Sequence, residues 1–498
     1  MADGFVYPPN EMDISNKQLL YKIVCARDKR YDGRFYCGVR TTGIYCRPIC
    51  PARPKIKNIT FYRSAAEAER EGYRPCLRCR PDLAPNSVQW NGTASVVGRA
   101  LAMIASGEFD KMPLDEFAGK FGVSDRHLRR LFEEHVGASP LEVATSKRLN
   151  LAKQLLTQSN LPVTEVAFAS GYQSIRRFNE VFQRKFQIAP SRMRKSRERP
   201  IGNDANFICI DLPVIAPFNW NEIFEFLRNH RMEGVESFLD GRYRRNFSLG
   251  NATGAVDVAY DPKQVQLSAR VFISDSMQLR TAMERVRDLF DTRLNPHAHL
   301  NDLQKSDPIA ACYVDSLGLR VPGAWDSFET AICIILGQLV SVEQARLKVS
   351  RLVAQYGTKI AKPVFAECTH LFPSPWVLVK ADFQGIGVTK VRENALRELS
   401  RLVLENRIDL SRSSDIEKTK AQLCAIKGVG PWTAEMIAMR CLGDTNAFPK
   451  TDLIIKRALE HHGKGKGDWS PWNSYITLAL WKKYATRLSR KRTCRAKS

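Results

Sequence analysis

The sequence predicts a multidomain, mainly α protein. Its parts are a small zinc-bound α/β module, a duplicated helix-turn-helix domain, an antiparallel α+β sheet unit and an all-α helix-hairpin-helix domain. Three observations carry this expectation. At 498 residues the chain exceeds one hydrophobic core and calls for three or four. Cysteines at 46 and 50 and at 76 and 79 form two tight pairs, the spacing that lets four thiolates meet around a tetrahedral zinc ion. Two segments of like pattern, starting at Ser124 and Ser174, repeat fifty residues apart. The expected division is a tail over 1–18, the zinc module over 19–86, a linker over 87–95, the helix-turn-helix domain over 96–196 and a linker over 197–205. The sheet unit over 206–302, the helical domain over 303–485 and a basic tail over 486–498 complete it.

The net charge is +24 and the isoelectric point near 9.6, although the hydrophobic fraction of 44% is ordinary. Such a balance points to nucleic acid, because neutralising phosphates releases counterions. A ribosomal or merely soluble basic protein is the bland alternative. Thirteen scattered cysteines do not read as a disulfide framework, so a reducing, cytoplasmic setting is expected. Met1 to Lys22 has no basic-then-apolar signal pattern, and the apolar run Ala331–Val340 is too short to cross a bilayer, so no membrane partner is expected.

In the first module, Leu19–Asp28 reads as a helix. Arg34–Tyr45 reads as one or two strands bent at Gly38 and Gly43, and Ser64–Glu71 as a helix closed by Gly72. Arg40, Arg47, Arg53, Lys55, Lys57, Arg74, Arg78 and Arg80 surround the cysteines. From spacing alone, a zinc ribbon without chemistry explains the four cysteines. The run VRTTGIYCRPIC, followed by FYRSAAEAEREGYRPCLRCRPD, resembles the N-terminal domain of the Ada family of methylation-response proteins. The resemblance covers about Leu19 to Asp82. It implies one zinc held by Cys46, Cys50, Cys76 and Cys79, with Cys46 also accepting a methyl group from a DNA methylphosphotriester. Thr42 and Arg53 would face the DNA. Cys25 and Cys37 are left over and read as small buried hydrophobes.

Leu83–Thr93 marks a linker. Beyond it, SDRHLRRLFEEHVGASP and SIRRFNEVFQRKFQIAP each follow a short apolar helix and a glycine turn, which describes two helix-turn-helix units. They resemble the AraC-type regulator domain over about Val96 to Arg194. Residues 120–200 hold sixteen Lys/Arg against seven Asp/Glu. Candidate DNA contacts on the outer helix faces are Arg126, His127, Arg130, Arg176, Arg177 and Asn179, each with a solvated surface charge as the alternative. Two units on one chain would let a monomer reach two major-groove segments.

Phe207–Ala216 and Tyr243–Ser274 read as strands and turns, with helices over Trp220–Arg231 and Ser276–Phe290. From Leu303 to Leu488 the pattern is helical, with LGQLVSV (Leu336–Val342) expected on a long apolar helix. In LCAIKGVGPWTAEMIAMRCLGDTNAFPKTDLIIKRAL, the turn around Gly428 and Gly430 forms a hairpin that offers backbone N–H groups to a phosphate. This region resembles the helix-hairpin-helix DNA glycosylases, most closely the AlkA-type 3-methyladenine DNA glycosylase II, over about Asn206 to Tyr484. That implies Asp452 as the catalytic carboxylate, Leu339 as the wedge filling the gap of a flipped nucleotide with Gln338 beside it, and Trp432 and Trp481 as pocket walls. Met436 stands where the AlkA enzyme has an aromatic. Trp432 stands where lyase-type relatives carry a lysine, which implies hydrolysis by water and no cofactor for this half. Asp452 also reads as a helix cap, and Trp481 as core. Lys482–Ser498, with eight basic residues and no acidic one, is expected to be a disordered tail.

The implied whole is a methylation-sensing activator fused to a repair glycosylase. Its partners would be double-stranded DNA with methylated backbone, promoter sites and alkylated bases, together with RNA polymerase. A methylation-responsive regulator with a non-catalytic C-terminal half is the alternative. The PCHR-type active site of the guanine-O6 methyltransferase domain is absent from the sequence.

Overall fold

The computed structural model describes residues 14–81, 84, 96–194, 207–297, 303, 307–462 and 469–495. The linkers expected over 87–95 and 197–205 lie outside these residues, as does most of the expected tail over 1–18.

Helix α1 (Lys17–Ala26) starts where the Asn16 side chain accepts from the Leu19 N–H. It buries Leu20, Ile23 and Val24 with Phe35, Ile59 and Phe61 of the first module. There β1 (Tyr36–Val39), β2 (Ile44–Cys46), β3 (Ile59–Tyr62) and β4 (Arg74–Pro75) form one sheet, in the order β3-β1-β2-β4. Gly43 makes the expected bend at φ 62°. Gly38 does not bend the chain. It lies inside β1, where a Cβ would stand 2.7 Å from the Tyr62 ring and 2.9 Å from the Tyr73 ring. Helix α2 (Ala65–Arg70) is capped by Ser64.

Both helix-turn-helix units are present. In the first, α3 (Val96–Ser106) supports α4 (Leu114–Gly119) and α5 (Asp125–Val136). The long α6 (Pro140–Gln158), begun by a Ser139–Glu142 capping box, leads to α7 (Val163–Ala169) and α8 (Ile175–Phe186) of the second. Phenylalanines at helical spacing turn inward: Phe132 with Leu128 and Val136 on α5, and Phe178, Phe182 and Phe186 on α8.

The two units bury those faces differently. The first closes its core with Ala66 of α2. The second shares one continuous core with the following sheet, joining Leu155, Val166, Phe178 and Phe182 to Ile210, Leu212 and Val258. That sheet holds β5 (Ile208–Pro213), β6 (Glu236–Leu239), β7 (Arg242–Leu249), β8 (Ala252–Asp261) and β9 (Gln266–Ile273), antiparallel in the order β5-β9-β8-β7-β6. Helices α9 (Trp220–Asn229) and α10 (Leu279–Leu289) cover the same face, through Ile223, Leu227, Met283 and Val286. Strand β5 is an edge. Gln154 of α6 donates to the Asp211 carbonyl at 2.9 Å, and the Asp211 N–H donates to Gln158 at 3.0 Å.

The C-terminal half is mainly helical around one core. A two-residue ladder, Thr358–Lys359 with His370–Leu371, interrupts the expected run of helices. The segment LGQLVSV does not lie on a helix. Helix α11 (Ser327–Leu336) ends at Leu336, and Ser341 caps α12 (Val342–Tyr356). Between them Leu339 takes a left-handed conformation at φ 56°, which no α-helix admits. Helices α13 (Lys390–Leu404), α14 (Ile416–Cys424), α15 (Pro431–Ile437) and α16 (Leu453–His462) follow. The stretch expected to be a disordered tail continues α17 (Asn473–Arg495) as far as Arg495, since no glycine or proline interrupts it; residues 496–498 lie outside the described ones.

Candidate metal centre and candidate DNA-processing site

The first site assembles from sheet and turns. Cys46 ends β2, and the turn after it returns Cys50. Strand β4 runs parallel to β2 and delivers Cys76 and Cys79. The four thiol sulfurs lie within 4.8 Å of one another, which fits one tetrahedral zinc ion. Their surroundings fit a negatively charged sulfur cluster. The Arg47 N–H donates to the Cys79 sulfur at 3.4 Å, and the Arg47 guanidinium donates to the Cys79 carbonyl at 3.2 Å. The same guanidinium donates to Asp32 at 2.8 Å. Arg47 is therefore part of the cluster's frame, with 12% of its side chain exposed, and is not on the cationic rim. Arg40, Arg53, Lys55, Lys57, Arg74 and Arg78 are exposed, as is Thr42 on the β1–β2 turn.

Cys46 and Cys50 are buried at 5% and 2%, whereas Cys76 and Cys79 are partly exposed. Cys37 is buried, donates to the Cys46 carbonyl at 3.5 Å, and has its thiol pushed up to about 12 by burial. Cys25 departs from the expectation of burial. It is exposed, because the apolar stripe of α1 runs through Leu20, Ile23 and Val24.

Helix α2 joins this module to both DNA-reading units. Tyr45, fully buried beside Cys46, donates to Glu69 at 2.8 Å, and Glu69 pairs with Lys185 on α8 at 2.9 Å. Arg70 pairs with Glu133 on α5 at 2.8 Å. Glu67 packs so closely on Gly137, just past α5, that a Cβ there would meet its carboxylate at 2.5 Å. Of the expected DNA contacts, Arg126, Arg130, Arg176, Arg177 and Asn179 are exposed, and His127 is half-buried with its Nδ1 3.2 Å from Arg130.

The second site gathers around Asp452. One carboxylate oxygen accepts from the Ile454 and Ile455 N–H groups at 2.9 and 3.2 Å, so Asp452 caps α16. The Trp481 indole donates to that oxygen at 3.2 Å, and the Trp432 indole to the other at 3.2 Å. Helix cap and indole-held carboxylate are thus one and the same group. Met436 is buried, and both half-buried tryptophans pack on the core that contains it.

Gly430 opens α15 with an extended backbone, and a Cβ there would meet nothing within 4 Å, which leaves the turn open to an approaching phosphate. Gly428, at φ 98°, passes so near α13 that a Cβ would lie 2.9 Å from Val391. Leu339 is fully exposed, the conformation a wedge requires. Gln338, beside it, is bonded within the protein. Its amide donates to the Gly428 carbonyl at 3.1 Å and to the Thr433 hydroxyl at 2.8 Å, tying the Leu339 turn to the hairpin. Arg392 of α13 donates to the Gln338 carbonyl at 2.7 Å. Sequence reading missed Arg392, Thr433, Tyr45, Glu69 and Lys185; all but Arg392 lie inside recognisable motifs, but their partners are far along the chain.

Three family models match the chain: the metal binding domain of Ada over residues 20–82, a helix-turn-helix domain over 117–196 and the AlkA N-terminal domain over 209–326. DNA-3-methyladenine glycosylase 2 of Escherichia coli (strain K12) is 29% identical over 280 residues, covering 53% of this chain and 94% of that protein. The bifunctional transcriptional activator/DNA repair enzyme Ada of the same strain is 33% identical over 147 residues, 29% of this chain and 40% of that protein. A protein of Mycobacterium tuberculosis (strain H37Rv), named probable bifunctional transcriptional activator/DNA repair enzyme AlkA, is 36% identical over 477 residues, covering 93% of this chain and 95% of its own length. With that likeness running through metal module, helix-turn-helix units, sheet and hairpin alike, the chain belongs to the AlkA family of bifunctional transcriptional activator/DNA repair proteins.

Proposed function

We propose that the chain senses DNA methylation at its N-terminal end and excises alkylated bases at its C-terminal end. The observation that carries the second half is the grip on Asp452 by two indole N–H donors at a helix N-terminus. The hairpin glycines and the exposed Leu339 turn stand bonded to the same α15 region. The extruded nucleotide leaves a gap for Leu339, and the cationic N-alkylated purine stacks on the indole faces. Asp452, oriented from three sides, stabilises positive charge on the sugar as the glycosidic bond breaks, its electron pair neutralising the departing base, and water adds to C1′ with its proton released to solvent. The substrate class is 3-methyladenine and related bases. Loss of its release by Asp452→Asn protein, with DNA binding kept, is the expected result of a glycosylase assay. Equal release by both proteins would leave the C-terminal half a DNA-binding scaffold.

At the other end a thiolate attacks the methyl carbon of a phosphotriester. The S–C bond forms as the O–C bond breaks, and the electron pair leaves on the phosphodiester oxygen, with no proton moved. Zinc, when bound, keeps the four thiols deprotonated. Cys46 is the proposed acceptor. It is buried, whereas Cys76 and Cys79 are partly exposed, so the acceptor is to be assigned by peptide mass spectrometry after incubation with methylated DNA. A methyl group on Cys79 would overturn the choice of Cys46. The methylated module then raises promoter affinity through α5 and α8, in a cytoplasmic monomer that recruits RNA polymerase.

A further inference from the structure

A cavity of about 180 Å³ lies where the three parts of the molecule meet. Lys147 and Asn150 of α6 line it from the reading domain, Arg280 and Arg287 of α10 and nearby Arg293 from the sheet unit, and Arg47 from the zinc module. Among the described residues one carboxylate, Glu284, faces the same space. Other acids stand behind these bases: Asp110 pairs with Arg280 at 2.6 Å, Asp288 with Arg293 at 2.7 Å, and Asp32 with Arg47 at 2.8 Å. Glu284 itself is divided between Arg287, at 2.6 Å, and Arg293. Asp110 also serves Arg148, and Asp288 also lies near Arg412 at 3.6 Å, so among the described residues these carboxylates are each shared between two cations.

Burial pushes the Lys147 ammonium down to about 7, with Arg293, Arg287 and Arg280 adding repulsion and Glu69 partly offsetting it. Burial likewise pushes Arg293 to about 9 and Arg287 to about 10. The Asn150 side-chain oxygen is buried without a hydrogen-bond partner, although an amide group there needs one.

We propose that this cavity binds a small phosphoryl anion, which joins the zinc module, the reading domain and the sheet unit through Arg47, Lys147 and the α10 arginines. The volume accommodates one or two phosphoryl groups. Guanidinium forks on several sides suit a tetrahedral, multiply charged acceptor better than a halide, and a protonated phosphate oxygen supplies the donor that Asn150 lacks. Free phosphate, pyrophosphate and the phosphates of a nucleotide share this chemistry. The site stands whether or not the chain excises bases.

The test is calorimetric titration of full-length, zinc-loaded protein with orthophosphate, pyrophosphate and ATP, against sodium chloride of equal ionic strength. One saturable site is expected for at least one of the three, and the tightest of them identifies the source. Arg287→Gln/Arg293→Gln protein should lose about tenfold or more in affinity, while Arg407→Gln protein, changed at an exposed arginine outside the cavity, should not. Asn150→Asp, which puts a carboxylate into the cavity and leaves the arginine pairs intact, should weaken binding comparably and keeps the test valid if the double variant fails to fold. No heat beyond the chloride control, equal binding by all variants, or displacement by unmodified duplex DNA in proportion to its length would overturn the proposal.

Discussion

Glu69 of the zinc module pairs with Lys185 in the last turn of the second reading helix, at 2.9 Å and largely out of water. The other Glu69 oxygen accepts from Tyr45, the residue before Cys46. Two side-chain contacts therefore connect the neighbour of Cys46 to α8. Tyr45→Phe keeps the buried ring and removes only the hydroxyl. It should bring the affinities of methylated and unmethylated protein for promoter DNA closer together, as read by fluorescence anisotropy. An unchanged ratio would place the signal elsewhere, with the Arg70–Glu133 pair on α5 the next contact to examine.

Truncating Lys185 to alanine strands Glu69 in a poorly hydrated position, and losing one partner of a buried pair costs about 3 kcal/mol. Urea unfolding should show that loss, with a smaller one for the Lys185→Met/Glu69→Gln double variant, whose partners are both neutral. Equal losses would mean the pair is solvated in solution.

Trp432→Phe and Trp481→Phe each keep an aromatic face and remove one N–H donor from Asp452. A hydrogen bond to a charged group is worth roughly 1.5–3 kcal/mol, so each variant should slow single-turnover excision by about tenfold or more at unchanged DNA affinity. If instead affinity falls and the rate constant holds, the indoles serve only as walls for the base.

Arg392 holds the carbonyl before Leu339. Arg392→Met should slow excision of 3-methyladenine from a matched duplex by about tenfold, and less from a mismatch, where extrusion costs less. Leu339→Gly should slow excision similarly without loss of stability, because glycine adopts the left-handed conformation that costs leucine about 1–2 kcal/mol. A variant equally slow on both substrates would show a general defect, not a loosened wedge.

Removing zinc with a chelator should open more than the first module. A structural zinc ion contributes about 10–16 kcal/mol, and the core around the cysteines is small. Since Ala66 of α2 completes the core of the first reading unit, amide hydrogen exchange should rise in α5 as well as in β1–β3. Exchange confined to the strands would show the two folding separately.

What the sequence disclosed was local. The cysteine spacing, the repeated Ser-Phe-Pro frame of the reading units and the hairpin glycines each lie within a short run, and each appears in the structure as a short-range geometry. Asp452 was legible as a cap because its partners, Ile454 and Ile455, are neighbours. The bonds of Gln338 were not legible, because its partners, Gly428 and Thr433, lie about ninety residues further along the chain. Gly38 was misread because glycine marks bends and close approaches alike, and only the placement of Tyr62 and Tyr73 distinguishes them. The α2 contacts with α5 and α8 left no periodic trace, since single charged residues on exposed-looking helix faces carry no register.

The glutamine pair on α6 has a consequence for dissecting the molecule. Gln154 and Gln158 occupy backbone groups on the outer rim of β5, where an unpaired strand would recruit another chain. Expressed alone, the C-terminal half would lose that guard and the aromatic cover of Phe178 and Phe182 together. The reading domain thus doubles as the cover over the outer edge of the sheet in the half that follows it.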